Sequence, residues 1–243
     1  MTTDLISYII MGIFPYAAIS CFIIGSVYRV FIWGRAPPSK GRPVIFSNAS
    51  NKIGLVIEFV KEILYFPRLF KADKKLWLGV FILHYGLLMT VLGHTRLIFE
   101  WQLLWNFLGF DIATRDLVAM ISGIIAGIIV LASVFYLFGR RLIGSAAELS
   151  RFEDYVVLAM FGGIGLTGMY MRTFAHVDIN QFRDYLAAIL TFQPPSTYPD
   201  VGPVFLLHLL LVLTAIAVLP FSKLFHLGGI FVTIYSKYRP EEK

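Results

Sequence analysis

The chain has 243 residues, of which 58% are hydrophobic and only 15% charged, against about 25% charged in an ordinary soluble domain. With a mean hydropathy of +0.75 and its charges gathered into short stretches, the composition excludes a soluble globule and points to a polytopic membrane protein. The formal net charge of +6 fits basic residues held at one membrane face, and no segment has the form of a nucleic-acid-binding module.

A helix needs about 20 mostly apolar residues to cross the hydrocarbon core. In chain order, five stretches qualify: approximately 5–33, 76–98, 117–139, 154–174 and 202–225. The first does not read as a signal peptide, because its short leading segment carries Asp4 and no Lys or Arg and its apolar run is too long. It is expected to stay as a permanent helix. The first loop, 34–75, opens with Ala36-Pro37-Pro38-Ser39-Lys40-Gly41. Within it Ile53, Val56, Phe59, Val60 and Ile63 recur at helical spacing, which predicts an interfacial helix lying among lipid headgroups.

Charge sets the expected orientation. The first loop is rich in Lys and Arg, the third opens with Arg140 and Arg141, and the tail carries Lys223, Lys237 and Arg239, whereas the second and fourth loops are nearly neutral. The positive-inside rule then puts the N-terminus outside and the C-terminus in the cytoplasm of a prokaryotic cell. Helix 2 runs outward and helix 5 inward. Residues 1–243 read as one integral membrane domain, with the loop 34–75 and the tail 226–243 available for docking a cytoplasmic partner.

Cys21 is the only cysteine, so this chain alone makes no internal disulfide, iron–sulfur cluster or c-type haem attachment. Histidine is the remaining metal ligand. His84 and His94 fall in helix 2, His208 in helix 5 and His226 at that helix's inner end. Ionisable groups within a span are costly and usually functional. On a straight helix His84 and His94 are separated by a rise of about 15 Å, and His208 and His226 by about 27 Å. Neither pair clasps one metal, so ligands must pair across helices. Opposite helix directions match His94 with His208 near the outside and His84 with His226 near the inside. Two offsets accompany this pairing: the axial rises differ by about 12 Å, and the helix 2 histidines differ by roughly 80° around their axis. Tilt and a kink at Pro220 are the expected remedies.

Two separated histidine pairs suit haem iron rather than zinc, whose histidine-only sites need three or more converging ligands. With both axial positions filled, such a haem passes electrons and has no open position for oxygen chemistry. The expected fold is therefore an all-α membrane bundle of five helices holding two b haems between helices 2 and 5. Gly162, Gly163, Gly165 and Gly168 on helix 4, and Gly123 and Gly127 on helix 3, allow close helix packing or make room for a porphyrin. Gly86, Gly93 and Gly229 near the histidines could serve either purpose.

The histidine spacings, together with "LTGMYMRTF" at 166–174, Ile189–Pro195, "FLLHLLL" at 205–211 and "LPFSKLFH" at 219–226, resemble the gamma subunit of respiratory nitrate reductase. The resemblance covers about residues 76 to 230. It implies five membrane helices and two b haems, with His94 and His208 as outer ligands and His84 and His226 as inner ones. The end of the first loop, "RLFKADKKLWLG" at 68–79, is more similar to relatives that serve heterodisulfide-reductase-type partners. These include the membrane cytochrome of the dissimilatory sulfite-reductase-linked complex of sulfate reducers.

That branch implies a subunit that oxidises menaquinol beside Gly93 and His94 and passes electrons inward to a cytoplasmic iron–sulfur partner. Arg115, Asp116, Arg172, His176 and Asp178 are candidates by depth for handling quinol protons, and Arg96 or Arg172 for holding haem propionates. A nitrate reductase gamma subunit and a quinone-reducing di-haem subunit with reversed flow are the alternatives. A transporter using histidines as proton relays is the non-redox rival.

Overall fold

A computed structural model describes residues 2–35, 52–175, 179–193, 198–226 and 228–229, and the described residues form helices and turns with no strand. Five helices are long and apolar enough to cross a membrane: Leu5–Arg35 (α1), Lys74–His94 (α2), Ile112–Arg140 (α3), Phe152–Phe174 (α4) and Pro203–Val218 (α5). They coincide with the five apolar stretches of the sequence, so the chain is an all-α, multi-pass membrane protein.

Local chemistry starts these helices. Asp73 caps α2 by accepting the Leu76 N–H at 2.9 Å, and Asp111 caps α3 by accepting the Thr114 N–H at 2.8 Å. Pro203 stands at the start of α5, where a missing N–H costs nothing.

The spans pack in a row: α2 on α3, α3 on α4, α4 on α5, and α5 on α1. Leu83, Val130, Val134, Leu137 and Leu158 form the core shared by α2, α3 and α4. Small residues bring the backbones together, as expected. A Cβ on Gly86 would lie 2.7 Å from the Ile129 side chain, and one on Gly165 would lie 2.8 Å from Leu131. The two histidine-bearing helices, α2 and α5, are not packed on each other. A slot between them is bounded by His84 on α2 and His226 beyond α5.

Polar ties close one end of the bundle. Arg140 reaches Asp73 at 2.7 Å, and Asp154 pairs with Lys223 at 2.9 Å and Arg141 at 3.3 Å. The opposite end carries an amphipathic helix, Ile179–Leu190, which is too polar to register as a span. Its Phe182, Tyr185 and Ile189 pack with Met11 of α1, and the Tyr185 hydroxyl donates to the Met11 carbonyl at 2.7 Å. From the same helix Arg183 donates to the Arg96 carbonyl at 2.8 Å. The helix therefore bridges α1 and the end of α2.

The predicted helix of the first loop is present as Lys52–Tyr65, followed by Pro67–Ala72. The elbow between them is Phe66, held in left-handed backbone (φ 49°, ψ 50°) ahead of Pro67. Ile53 and Val56 face outward, as suits a helix lying at a lipid interface. Trp77 and Tyr85 of α2 hold the helix end, donating to the Tyr65 and Leu64 carbonyls at 2.7 Å and 3.0 Å. The Pro/Gly-rich run 36–41 lies outside the described residues.

One expectation needs correction. The fifth helix does not run to residue 225; it stops at Val218, and 3-10 turns follow at Leu219–Phe221 and Lys223–Phe225 with Ser222 extended between them. Pro220 has no N–H to return to the Ile216 carbonyl, so the α-helical ladder cannot continue. The straight-helix rise of about 27 Å and the shared-face arithmetic do not describe this segment.

Candidate functional site

The break after α5 turns the chain back towards α2. The rings of His84 and His226 stand 5.9 Å apart, with their planes at 71°. An imidazole nitrogen binds a metal at about 2 Å and each ring centre lies about 1 Å behind that nitrogen, so two rings on one iron have centres about 6 Å apart. The angle between the planes is free, because each ring can rotate about its own metal bond. At the other end of the slot, His94 lies within electrostatic range of His208.

Hydrogen bonding decides which nitrogen each ring presents. His84 Nδ1 is 2.7 Å from the Val80 carbonyl, His94 Nδ1 is 2.7 Å from the Thr90 carbonyl, and His226 Nδ1 is 3.1 Å from the Lys223 carbonyl. A carbonyl oxygen only accepts, so in all three rings Nδ1 carries the hydrogen. His208 Nδ1 lies 2.9 Å from the Thr167 hydroxyl, which sits 2.7 Å from the Gly163 carbonyl. That hydroxyl has one hydrogen, and the Gly163 carbonyl takes it. His208 therefore donates from Nδ1 as well. All four rings keep the Nε2 lone pair for a metal, each oriented by a second partner as metal-binding histidines require.

The surroundings fit a porphyrin at the His84–His226 pair. A cavity of about 520 Å³ adjoins His226, lined by the aromatic rings of Trp33, Phe221 and Phe225, by three basic side chains, Arg29, Arg151 and Lys223, and by one acid, Glu153. Flat apolar walls and basic side chains match a macrocycle bearing two carboxylates. Phe66 places its ring 5.0 Å from that of His84, walling the site on the side of the first loop. At the other pair, Gly168 gives His208 its room, since a Cβ there would stand 3.3 Å from the ring. Among the described residues no three metal-binding side chains gather at one place.

The other candidates separate. Gly93 has open space beside it, with nothing within 4 Å of where a Cβ would stand. Arg172 lies over Gly123 and donates to the Ala119 carbonyl, which commits it to α3. Arg115 has a buried Nε without a hydrogen bond, its nearest carboxylate being Asp116 at 3.9 Å. Arg96 pairs with Glu100 at 3.0 Å and Asp116 at 3.3 Å. His176 and Asp178 lie outside the described residues.

Thr167, Phe66, Glu100 and Arg183 were not singled out in the sequence. Glu100 is the hub next to His94's end of the slot, accepting from Arg96, from Trp105 at 2.8 Å and from Arg183 at 3.1 Å. Burial pushes its carboxyl up, but hydrogen bonds from Arg96 and Trp105 and the charges of Arg96 and Arg115 outweigh that and hold it below 4.5. The only available signal was an acid placed six residues beyond a membrane histidine.

Two curated proteins are similar over most of their length. The Hdr-like menaquinol oxidoreductase cytochrome b-like subunit of Archaeoglobus profundus is 25% identical, over 89% of this chain and 75% of that protein. The subunit of the same name from Archaeoglobus fulgidus is 26% identical, over 92% of this chain and 77% of that protein. Both are of the branch to which residues 68–79 pointed. The profile of the nitrate reductase gamma subunit family matches residues 68–240, which take in α2 to α5 and all four histidines, and the chain belongs to that family.

Proposed function

We propose that this chain is the di-haem cytochrome b subunit of a menaquinol-oxidising membrane complex. The observation that carries the reading is the set of four histidines on α2 and at or beyond α5, each with Nδ1 beside an oxygen, with the His84 and His226 rings 5.9 Å apart and His94 within electrostatic range of His208. A haem b with two histidine ligands supplies one-electron transfer with no open coordination position. His94 and His208 hold the outer haem, and His84 and His226 the inner one. The rise of about 15 Å along α2 separates the pairs along the membrane normal, so that together they cross it.

The open space at Gly93, beside His94, admits the edge of a quinol head group. Arg115, with its buried unbonded Nε, is the nearby donor awaiting a partner. Arg29, Arg151 and Lys223 hold positive charge beside His226, where carboxylates of the inner haem need it. Electrons leave on the basic side, where the loop 34–75 and the tail 226–243 dock a cytoplasmic iron–sulfur subunit. The names of the two relatives favour a heterodisulfide-reductase-like partner, and the likeness of residues 68–79 favours sulfate or sulfite respiration as the setting.

The test is haem content in the purified protein. Two haem b per chain, reducible by menaquinol, are expected. His94→Ala and His208→Ala should each remove the same one, and His84→Ala and His226→Ala the other. Equal loss of both haems in any of these variants refutes the pairing, and a protein with no Soret band refutes the function.

A further inference from the structure

A second cavity, of about 570 Å³, opens at the start of α1. It lies at the same end of the bundle as His94, since Met11 beside it packs in one cluster with Leu97 and Phe205. Ile9 and Ile13 around it are about half exposed (46% and 50%), so its mouth faces lipid. Among the described residues, none of the side chains lining it is a histidine, and none belongs to α2, α3 or α4.

The chain departs from regular helix here. Tyr8–Ile13 forms a π-helix, a distortion that is rare and concentrates at functional sites. It sets Tyr8, Gly12 and Ile13 into the cavity wall. Gly12 lets Tyr198 approach so closely that a Cβ would collide with its hydroxyl. On another side Tyr16 stacks on Phe192 at 5.6 Å, and Phe192 holds left-handed backbone (φ 57°) to do so.

The result is a site lined by three phenols, Tyr8, Tyr16 and Tyr198, together with the Ser20 hydroxyl. The Tyr16 hydroxyl is buried and has no hydrogen-bond partner in the protein. Buried polar atoms are otherwise paired, and the side chain that carries this unpaired one lines the cavity.

We propose that this cavity binds a quinone-class molecule from the lipid phase, at a second site distinct from the Gly93–His94 region. Among the described residues no Lys, Arg, Asp or Glu lines it, which disfavours a phospholipid head group. Flat aromatic walls and several hydroxyls suit an uncharged ring carrying two oxygens. The proposal rests on the quinol reading above, and it adds a place where quinone resides without touching the histidines.

The experiment titrates the purified full chain with 2-heptyl-4-hydroxyquinoline N-oxide, a quinol mimic whose fluorescence is quenched on binding. Two sites per chain are expected. Tyr16→Phe removes a hydroxyl that no protein group uses, so folding is unaffected while one site weakens about tenfold, the worth of one hydrogen bond. Ala17→Phe, at an exposed wall position, should abolish that site and leave menaquinol reduction of the haems intact. A single site that neither substitution changes overturns the proposal, and so does full occupancy of two sites in Ala17→Phe. Loss of menaquinol reduction in the unsubstituted protein would instead overturn the quinol reading itself.

Discussion

Thr167→Val isolates the contribution of one hydroxyl to one of the two haems proposed above. The Thr167 oxygen lies 2.9 Å from His208 Nδ1 and 2.7 Å from the Gly163 carbonyl, so it relays a fixed hydrogen-bond chain from the backbone of α4 to the ring. Valine keeps the branched shape and removes the acceptor. Within a span there is no water to replace it, and the His208 N–H loses its side-chain partner. Loss of such an orienting partner typically costs 10- to 100-fold in metal affinity, equivalent to about 1.4–2.8 kcal/mol. His84 and His226 share no atom with this chain of bonds, so their haem should be untouched. The assay is haem retention on transfer to excess apomyoglobin, followed by a redox titration that resolves the two centres. One haem should leave 10- to 100-fold more readily, and Thr167→Ser should restore its retention. Equal loss of both haems, or a Thr167→Val protein that behaves like the parent, would refute the assignment of Thr167 as the positioning residue for His208.

Glu100→Gln should lower thermal stability by about 2–3 kcal/mol, the scale of hydrogen bonds to charged groups, because Arg96 and Arg183 both lean on that carboxylate. The same contact should be pH-dependent. The folded carboxyl titrates below its ordinary 4.5, so its stabilisation is complete above 4.5 and disappears as pH falls through the lower folded value. A Tm difference between parent and Glu100→Gln that does not shrink as pH falls below 4.5 contradicts this. Gly25→Val would drive its Cβ to within 2.7 Å of Phe221 and 2.9 Å of Pro220. It should cost about 1–3 kcal/mol and shift the spectrum of the His84–His226 haem alone; an unshifted spectrum counts against the role of the Pro220 turn. Phe66→Gly and Phe66→Ala both remove the ring beside His84, but only glycine relaxes the left-handed backbone. Phe66→Gly should be the more stable by about 1 kcal/mol, and equal unfolding temperatures would refute a strained elbow.

The spans were legible because a membrane demands some 20 apolar residues in succession, a requirement that acts on sequence directly. The histidines were legible for the converse reason, since an ionisable group in such a run is conspicuous. Depth ordering needed only the alternation of helix directions, and His84 stands next to His226 in the structure even though α5 is shorter than the sequence suggested. Other features depend on contacts between distant segments. The Ile179–Leu190 helix is stabilised by Met11 and by the end of α2, and nothing within twelve mixed residues announces that. Thr167 looked like any small polar residue in a helix until α5 set His208 against it. Pro220 was visible as a disruption, but how far the chain would turn was decided by what receives the broken end.

That last point bears on the place of α1 beside the other four spans among the described residues. α2 to α5 form the row that carries the histidines, and α1 lies at its end, against α5. Where α5 breaks, its final carbonyls lose their helical partners, and in a bilayer each unsatisfied group is costly. α1 supplies the donors. The Arg29 Nε–H donates to the Pro220 carbonyl at 2.8 Å, and the Cys21 thiol donates to the Ala217 carbonyl at 3.6 Å. Gly25, between them on the same helix, admits Pro220 and Phe221. The lone cysteine is thus a weak hydrogen-bond donor at a helix end and needs no redox role. The basic Arg29 serves the turn through its Nε, and its guanidinium borders the cavity at His226. Without α1, the turn that brings His226 towards His84 would leave bare carbonyls facing lipid. The first span is the element that makes a broken fifth helix tolerable, and the break is what lets a histidine beyond the helix end face one on α2.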